Sequence, residues 1–552
     1  MYIVLAVVDD DPAEGAVDAV LLDDDGVEEG RERVLDLPAF VAACEPSRPR
    51  WVWDRAAAWL PALLAAGVRV ERCHDLRLAR AILRNSVLTR GTPIATAPPS
   101  SLDGPDPARV EPSPRGPLAD DGLFALEPEP TAGASAAPAA ALDPVAELRL
   151  HLESIRRSAD PARLALLVAA ESAGAIIAIE MAHGGLPWSA VEHDRILREL
   201  LGPRPAPGRR PAILEELHAA IEAALDGTPV NPDSAVELKK VLQRAGLRIE
   251  STSSWELRRI EHPVIEPLLD YRKRSRILSA NGWHWLETWV HDGRFRPVYV
   301  PGGVVTGRWA SDGGGALQLP RQLRGAVRAD PGWRLVVADA AQLEPRILAA
   351  MAGDTAMLAA GADGDLYAGL VAAGVVEHRD QAKVAMLSVM YGGTTGDGGR
   401  LLPRFARAYP RAIALVDEAA RAGERGEQVR TWLGRTSPPG RRDAPAERAR
   451  AWGRFTRNFV VQGTAAEWAL CWLGGIRGRL SAEFPGRFPA EVPHLVFFLH
   501  DEVIVHTPAE HADAVAEVIR LAAEDAGRLL FGERPATFPL SVAIVEDYAA
   551  AK

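Results

Sequence analysis

The sequence predicts a multidomain chain, an α/β module at the N-terminus followed by a larger, helix-rich α+β body. Three observations predict it. The chain has 552 residues, more than one ordinary core can organise. Residues 1–90 alternate strand-like and helical runs, as a small sheet with helices packed on it does. Beyond residue 145 helical runs dominate, but β-favouring segments return at 333–338 and 496–506, each joined to acidic residues.

Taken in order, strands are expected over 2–8 and 17–22 and helices over 54–66 and 76–85. Segment 91–144 is rich in Pro, Ala, Gly and Ser without periodicity, which predicts a linker. Helices follow from about 144 and continue through 190–290, including 234–245 and one long helix over 266–286. Strands are expected at 295–300 and 333–338, then a mostly helical block to about 480. A hairpin, a helix over 509–530 and a strand near 538–545 close the chain. There is no internal repeat.

Composition bounds the function. A net charge of −11 speaks against nucleic acid on average, yet residues 400–457 hold fourteen Arg, no Lys and six acids. A basic segment in an acidic chain can supply the local positive field that phosphates need, although a solvated Arg-rich face would look the same. Only five Lys stand against 58 Arg, so Lys383 is conspicuous. Three cysteines without a CxxC give neither a disulfide framework nor a zinc cluster, and a reducing cytoplasm is expected. The N-terminal MYIVLAVVDDD reads as a first strand rather than a signal peptide. No apolar run approaches a membrane span, so no membrane association is expected.

Three stretches carry chemistry. In VFFLHDEVIVH, strand-favouring residues flank His500, Asp501 and Glu502, which predicts two buried strands meeting at a tight turn with carboxylates at the tip. Carboxylates held there suit a hard divalent cation, whereas an isolated His-Asp-Glu is as readily a solvated acidic turn. Upstream, WRLVVADAAQLEPRILAAMAGD predicts a buried strand ending at Asp339 and then a helix. Pro345 suits the first turn of that helix and disfavours the α region at Glu344. Between them, Arg379, Lys383, Leu387 and Tyr391 recur every four residues on one helix face that ends at Gly392-Gly393. Two cations, an apolar residue and an aromatic in that order suit a triphosphate at one end and a base at the other, or a plain amphipathic helix.

Together these stretches resemble motifs A, B and C of family A DNA polymerases, the bacterial DNA polymerase I type. Asp339-x-x-Gln342-x-Glu344-x-Arg346 is similar to motif A, Arg379-x-x-x-Lys383 with Tyr391-Gly392 to motif B, and His500-Asp501-Glu502 to motif C. Thr306-Gly307-Arg308 with Leu317-Gln318-x-Pro320, Thr431-x-x-Gly434-Arg435, and Arg454-x-x-x-Asn458-x-x-x-Gln462-Gly463-Thr464-Ala465-Ala466 resemble further segments of that family in the right order. The resemblance covers residues 145–552. It implies a right hand, with a thumb at about 190–290, a palm at about 291–345 and 465–552, and fingers at about 346–464.

The resemblance further implies template-directed DNA synthesis, with primer-template DNA and dNTPs as partners, in repair or in replication gap filling. Asp339 and Asp501 would hold two Mg²⁺ ions (or Mn²⁺ in their place), one lowering the pKa of the primer 3′-hydroxyl and one neutralising the triphosphate. Glu502 and Lys383 would complete the catalytic set, Lys383 protonating the leaving pyrophosphate. Arg379, Lys383, Leu387, Tyr391, Gln342 and Glu344 would bind the nucleotide, Glu344 excluding a ribose 2′-hydroxyl. Arg308, Gln318, Arg346, Arg435, Arg454, Asn458, Gln462 and His500 would contact DNA, Arg308 and Gln462 in the minor groove. A monomer associated with the nucleoid is expected.

Departures from the family pattern are specific. Leu387 stands where the family has an aromatic, Ala340-Ala341 where it has Tyr-Ser, and Pro345 where it has Leu. An active but atypical enzyme is therefore expected. Residues 1–90 resemble the 3′–5′ exonuclease domain, an RNase H-like fold, through Asp54 and the strand-end Asp75. The chain shows no clear DxE after Asp9-Asp10-Asp11 and no YxxxD, so an inactive domain is expected. Two other functions stay open, a 3′–5′ exonuclease and a catalytically silent DNA-binding protein on a decayed polymerase fold.

Overall fold

A five-stranded sheet opens the chain, in the order Glu28–Val34, Val17–Leu22, Tyr2–Val7, Arg50–Trp53, Arg72–Asp75. Its first three strands run antiparallel to their neighbours, with Tyr2 opposite Leu22, whereas Tyr2–Val7, Arg50–Trp53 and Arg72–Asp75 pair in parallel. Helices Ala56–Ala65 and Leu76–Asn85 follow the two parallel strands, and Trp51 and Trp53 fill the core beneath them. The computed structural model describes residues 1–7, 17–104, 142–393 and 396–551. Asp9, Asp10, Asp11 and most of the expected linker lie outside them.

The first part of that linker is packed. Residues 91–104 form short turns at Pro93–Thr96 and Ser101–Asp103 that bury Ile94 and Leu102. The reason is Arg80, which is fully buried and needs partners. It donates to Asp103 at 2.9 Å, to Glu147 at 2.8 Å and to the Pro98 carbonyl at 2.7 Å.

One expectation about apolar runs is corrected. Helix Pro161–Gly184 has 24 residues and is long and apolar enough to cross a membrane. Here it is a core helix, buried over most of its length, with Glu171 and Glu180 inside. It packs between the Arg72–Asp75 strand and the 38-residue helix Ala446–Glu483.

Residues 190–290 form helices around a core of their own, which includes Leu238, Leu242, Leu257, Leu268 and Tyr271. The helix expected over 266–286 is two helices, Ile265–Asn281 and Trp283–Trp289. They break at Gly282, where a Cβ would sit 2.2 Å from the Leu278 carbonyl oxygen. The strand expected over 295–300 is also two, Arg294–Phe295 and Tyr299–Val300, because Pro297 between them has no N–H to pair.

The second large sheet is antiparallel, in the order His494–Leu499, Glu502–Pro508, Trp333–Ala340, Leu540–Val545. Residues 335–338 are buried on both faces, so their apolar run is continuous rather than alternating. Helix Ala512–Phe531 packs on the sheet, and helix Ala446–Glu483, with Trp468 and Trp472 fully buried, packs on that helix. Helix Leu343–Ala352 leaves the end of the Trp333 strand. Glu344 lies inside it, contrary to the effect expected of Pro345. Gln342, at φ 55°, makes the left-handed turn first, so the chain is already helical when it reaches the proline.

Candidate active site

Sheet register brings the acidic residues together. Asp339 lies opposite Glu502 on one side and Ser541 on the other, one residue inside its strand rather than at its end. The Ala340 N–H donates to the Asp501 carbonyl at 2.8 Å, which fixes the hairpin tip against the Asp339 strand. The tip is tight. Leu499 pairs with Glu502, the Asp501 N–H reaches the Leu499 carbonyl at 2.7 Å, and His500 has φ 59°. A non-glycine residue in that region costs on the order of 1 kcal/mol, and two buried strands hold it there.

Asp501 records the closeness of the pair electrostatically. Burial, and then the charge of Asp339, push its carboxyl up to about 7, against the opposing charge of Arg308. A buried carboxylate whose ionisation is opposed by a neighbouring carboxylate is the donor chemistry a hard divalent cation relieves. Among the described residues no group of three or more His, Cys, Asp or Glu surrounds them. Two carboxylates suffice for a hard divalent ion that takes its other oxygens from water and phosphate.

The tip borders a cleft of about 240 Å³. The cleft is lined by Arg308, His500 and Asp501, by Leu387, Met390 and Tyr391, and by residues 342–345 with Tyr367, Ala465 and Ala466. Glu344 links two of these groups, accepting from Arg308 and, at 3.0 Å, from the Tyr391 hydroxyl. Leu387, in this lining, is 37 % exposed. Its helix is Arg379–Tyr391, ended by Gly392 at φ 73°, as the spacing predicts.

Asp365 and Tyr367 escaped sequence reasoning. Asp365 accepts from Gln342 at 2.6 Å and from Arg379 at 2.9 Å, while the Arg379 guanidinium lies 5.5 Å from the Tyr367 ring centre. Partial burial opposes ionisation of Asp365, but the bonds from Arg379 and Gln342 hold its carboxyl down to about 2. Its position before Leu366–Ala372 is a legible N-cap, and its side chain does accept from the Tyr367 and Ala368 N–H groups. Its second role needs contacts that only the fold supplies. Lys383 is exposed one turn beyond Arg379 and does not line the cleft.

Several expected residues are not at the surface assigned to them. Glu502 is 3 % exposed and 3.8 Å from Arg324, outside the cleft lining, because a strand residue next to the turn points into the sheet's packing. Arg346 is buried, and its guanidinium is spent on the carbonyls of Ala341, Gly361, Gly364 and Thr537. Arg435 is half-buried and ion-paired to Glu171 at 2.6 Å. Both guanidiniums are engaged within the protein. Gln318 and Arg454 are exposed, whereas Asn458 and Gln462 are buried along helix Ala446–Glu483.

The family model described as DNA polymerase family A matches residues 211–545. The chain belongs to DNA polymerase family A. That match contains every candidate residue of the polymerase site. The thermostable DNA polymerase I of Thermus aquaticus is 28 % identical over 391 residues, 62 % of this chain and 44 % of that protein. The DNA polymerase I of Chloroflexus aurantiacus is 27 % identical over 307 residues, 50 % of this chain and 32 % of that protein. The chain thus spans about half the length, or less, of these family A relatives. The polymerase domain of Pol1 from M. smegmatis, solved in complex with DNA primer-template and dNTP, superposes with a TM-score of 0.67 at 17 % identity. It covers 97 % of this chain and 93 % of that domain, so the two share a fold along nearly their whole length.

Proposed function

We propose that the chain carries out template-directed DNA synthesis, adding deoxynucleotides to a primer 3′-hydroxyl. The observation that carries this reading is the apposition of Asp501 with Asp339 at the rim of a cleft lined by Arg308, Glu344, Leu387 and Tyr391. A divalent ion on the two aspartates, Mg²⁺ or Mn²⁺ and two ions in the full reaction, would activate the 3′-hydroxyl and neutralise the triphosphate. Arg379 and Lys383 would hold phosphate oxygens, Arg379 exchanging Asp365 for them. Glu344, already fixed by Arg308 and Tyr391, would stand where a 2′-hydroxyl would fall. Exposed Gln318 and Arg454, together with His500 at the tip, would meet the duplex, and Gln462 the minor groove. Thumb, palm and fingers follow the boundaries the sequence implies, with the four-stranded sheet as palm.

Primer extension on a recessed duplex with four dNTPs and Mg²⁺ tests the reading. Extension that disappears in Asp339→Ala/Asp501→Ala supports it, and no extension by the wild-type chain with DNA binding intact overturns it in favour of a silent DNA-binding protein.

The N-terminal sheet supports an RNase H-like reading through its strand order and its single antiparallel strand next to the first. Exonuclease chemistry is disfavoured by Asp75, which is 2 % exposed and caps Leu76–Asn85 while accepting from the Ala56 N–H at 2.8 Å. Asp54 accepts from the Trp59 indole at 2.8 Å. Metal-dependent 3′ trimming abolished by Asp54→Ala would reverse this part of the reading.

A further inference from the structure

The turn that carries Arg308 into the cleft is held from behind by a buried ion pair. Residues 300–308 double back, with the Gly307 N–H donating to the Val304 carbonyl at 2.8 Å and the Val304 N–H to the Arg308 carbonyl at 3.1 Å. Gly307, at φ 88°, lies directly against Arg435, so that a Cβ there would sit 2.4 Å from Nε. Arg435 donates from Nη2 to Glu171 Oε2 at 2.6 Å, and Glu171 is 1 % exposed. The other end of the turn meets the same carboxylate, since a Cβ on Gly302 would fall 2.7 Å from Glu171 Oε1. One glutamate from helix Pro161–Gly184 therefore touches the turn's entry directly and its exit through Arg435.

This pair is poorly explained by stability. Among the described residues, buried Glu171 Oε1 and Arg435 Nε have no hydrogen-bond partner. A buried pair left partly unsatisfied contributes little to stability compared with apolar side chains of the same volume. What it does supply is geometry. The guanidinium lies against a residue whose missing side chain admits it, and the next residue is the arginine that bonds Glu344 and lines the cleft with His500 and Asp501.

We propose that Glu171 and Arg435 are positioning residues for Arg308, setting its guanidinium in the cleft without touching substrate themselves. The inference rests on the polymerase reading for its consequence, since a misplaced Arg308 would relax alignment of the primer end and incoming nucleotide. Glu171 lies outside the segment matched to the family, so that match assigns it nothing.

A double-mutant cycle tests the proposal, with single-nucleotide incorporation measured at saturating and limiting dNTP and the thermal midpoint recorded for each variant. Glu171→Ala is expected to lower the incorporation rate by about ten- to a hundredfold, the scale of an ångström-level misplacement. In an Arg308→Ala background it is expected to do nothing further, because the positioned group is gone. Glu171→Gln, which keeps an acceptor for Arg435, is expected to restore most of the rate. Losses from Glu171→Ala and Arg308→Ala that simply multiply would overturn the proposal, as would a Glu171→Gln variant as slow as Glu171→Ala. If Glu171→Ala does not fold, Arg435→Lys takes its place in the same cycle. A wild-type chain that fails to extend primers sinks the polymerase reading alone. The positioning claim is then decided by a crystal structure of Glu171→Gln beside one of Glu171→Ala or Arg435→Lys, and Arg308 still seated on Glu344 in all of them overturns it.

Discussion

Leu387 stands where the family resemblance leads one to expect an aromatic, and the structure gives the difference a location. It lines the cleft one helical turn before Tyr391. A leucine there covers less of a nucleotide's sugar than an aromatic ring would and supplies no flat face. Leu387→Phe is therefore expected to lower the KM for dNTP and to sharpen discrimination against ribonucleotides, each by roughly three- to tenfold, the equivalent of ~1 kcal/mol. Steady-state incorporation of paired dNTP and rNTP substrates measures it, and unchanged values would remove Leu387 from the nucleotide site. At this scale the sequence was informative where spacing fixes a face, as with Arg379, Leu387 and Tyr391. It was silent on Asp365, whose two partners come from other elements.

Elements whose sequences are continuous in pattern formed where expected, including the hairpin and the Arg379–Tyr391 helix. Those that differ do so at single residues with a nearby backbone, such as Gly282 against Leu278. Helix Leu343–Ala352 shows why a motif position does not settle a role. The family resemblance implies Arg346 as a DNA contact, which requires an exposed side chain. This helix has no solvent face over residues 345–350, and Arg346 ties it to residues 361–364 and 537 through carbonyl acceptors. Arg346→Lys offers one point charge for a planar fork and orphans several carbonyls, a loss on the order of 3 kcal/mol. Its thermal midpoint should fall, while DNA affinity in the folded protein keeps its salt dependence. A salt slope reduced by about one unit with the midpoint unchanged would return Arg346 to the DNA surface.

At the scale of the whole molecule, the N-terminal sheet and the polymerase body are joined by buried charge that no sequence pattern announced. Glu180 accepts from Arg477 at 2.8 Å and from Arg69 at 3.0 Å, and Arg477 also donates to the carbonyls of Val70 and Glu71. Three distant segments thus meet at one carboxylate. Burial opposes its ionisation, but Arg477 and Arg69 outweigh that and hold it down to about 2. Because the folded value lies below the unfolded one, the stabilisation is present above about pH 4.5 and is lost as the pH falls toward 2. It amounts to something on the order of 3 kcal/mol at neutral pH. Glu180→Gln should therefore be clearly less stable than wild type in urea unfolding at pH 7, and the gap should close progressively below pH 4.5. It should also loosen the junction, so that protease cuts between the sheet and the body before either part is degraded. A gap that stays constant from pH 7 to pH 3 would mean that Glu180 acts by shape and hydrogen bonding, with its charge contributing nothing to the union of the two parts.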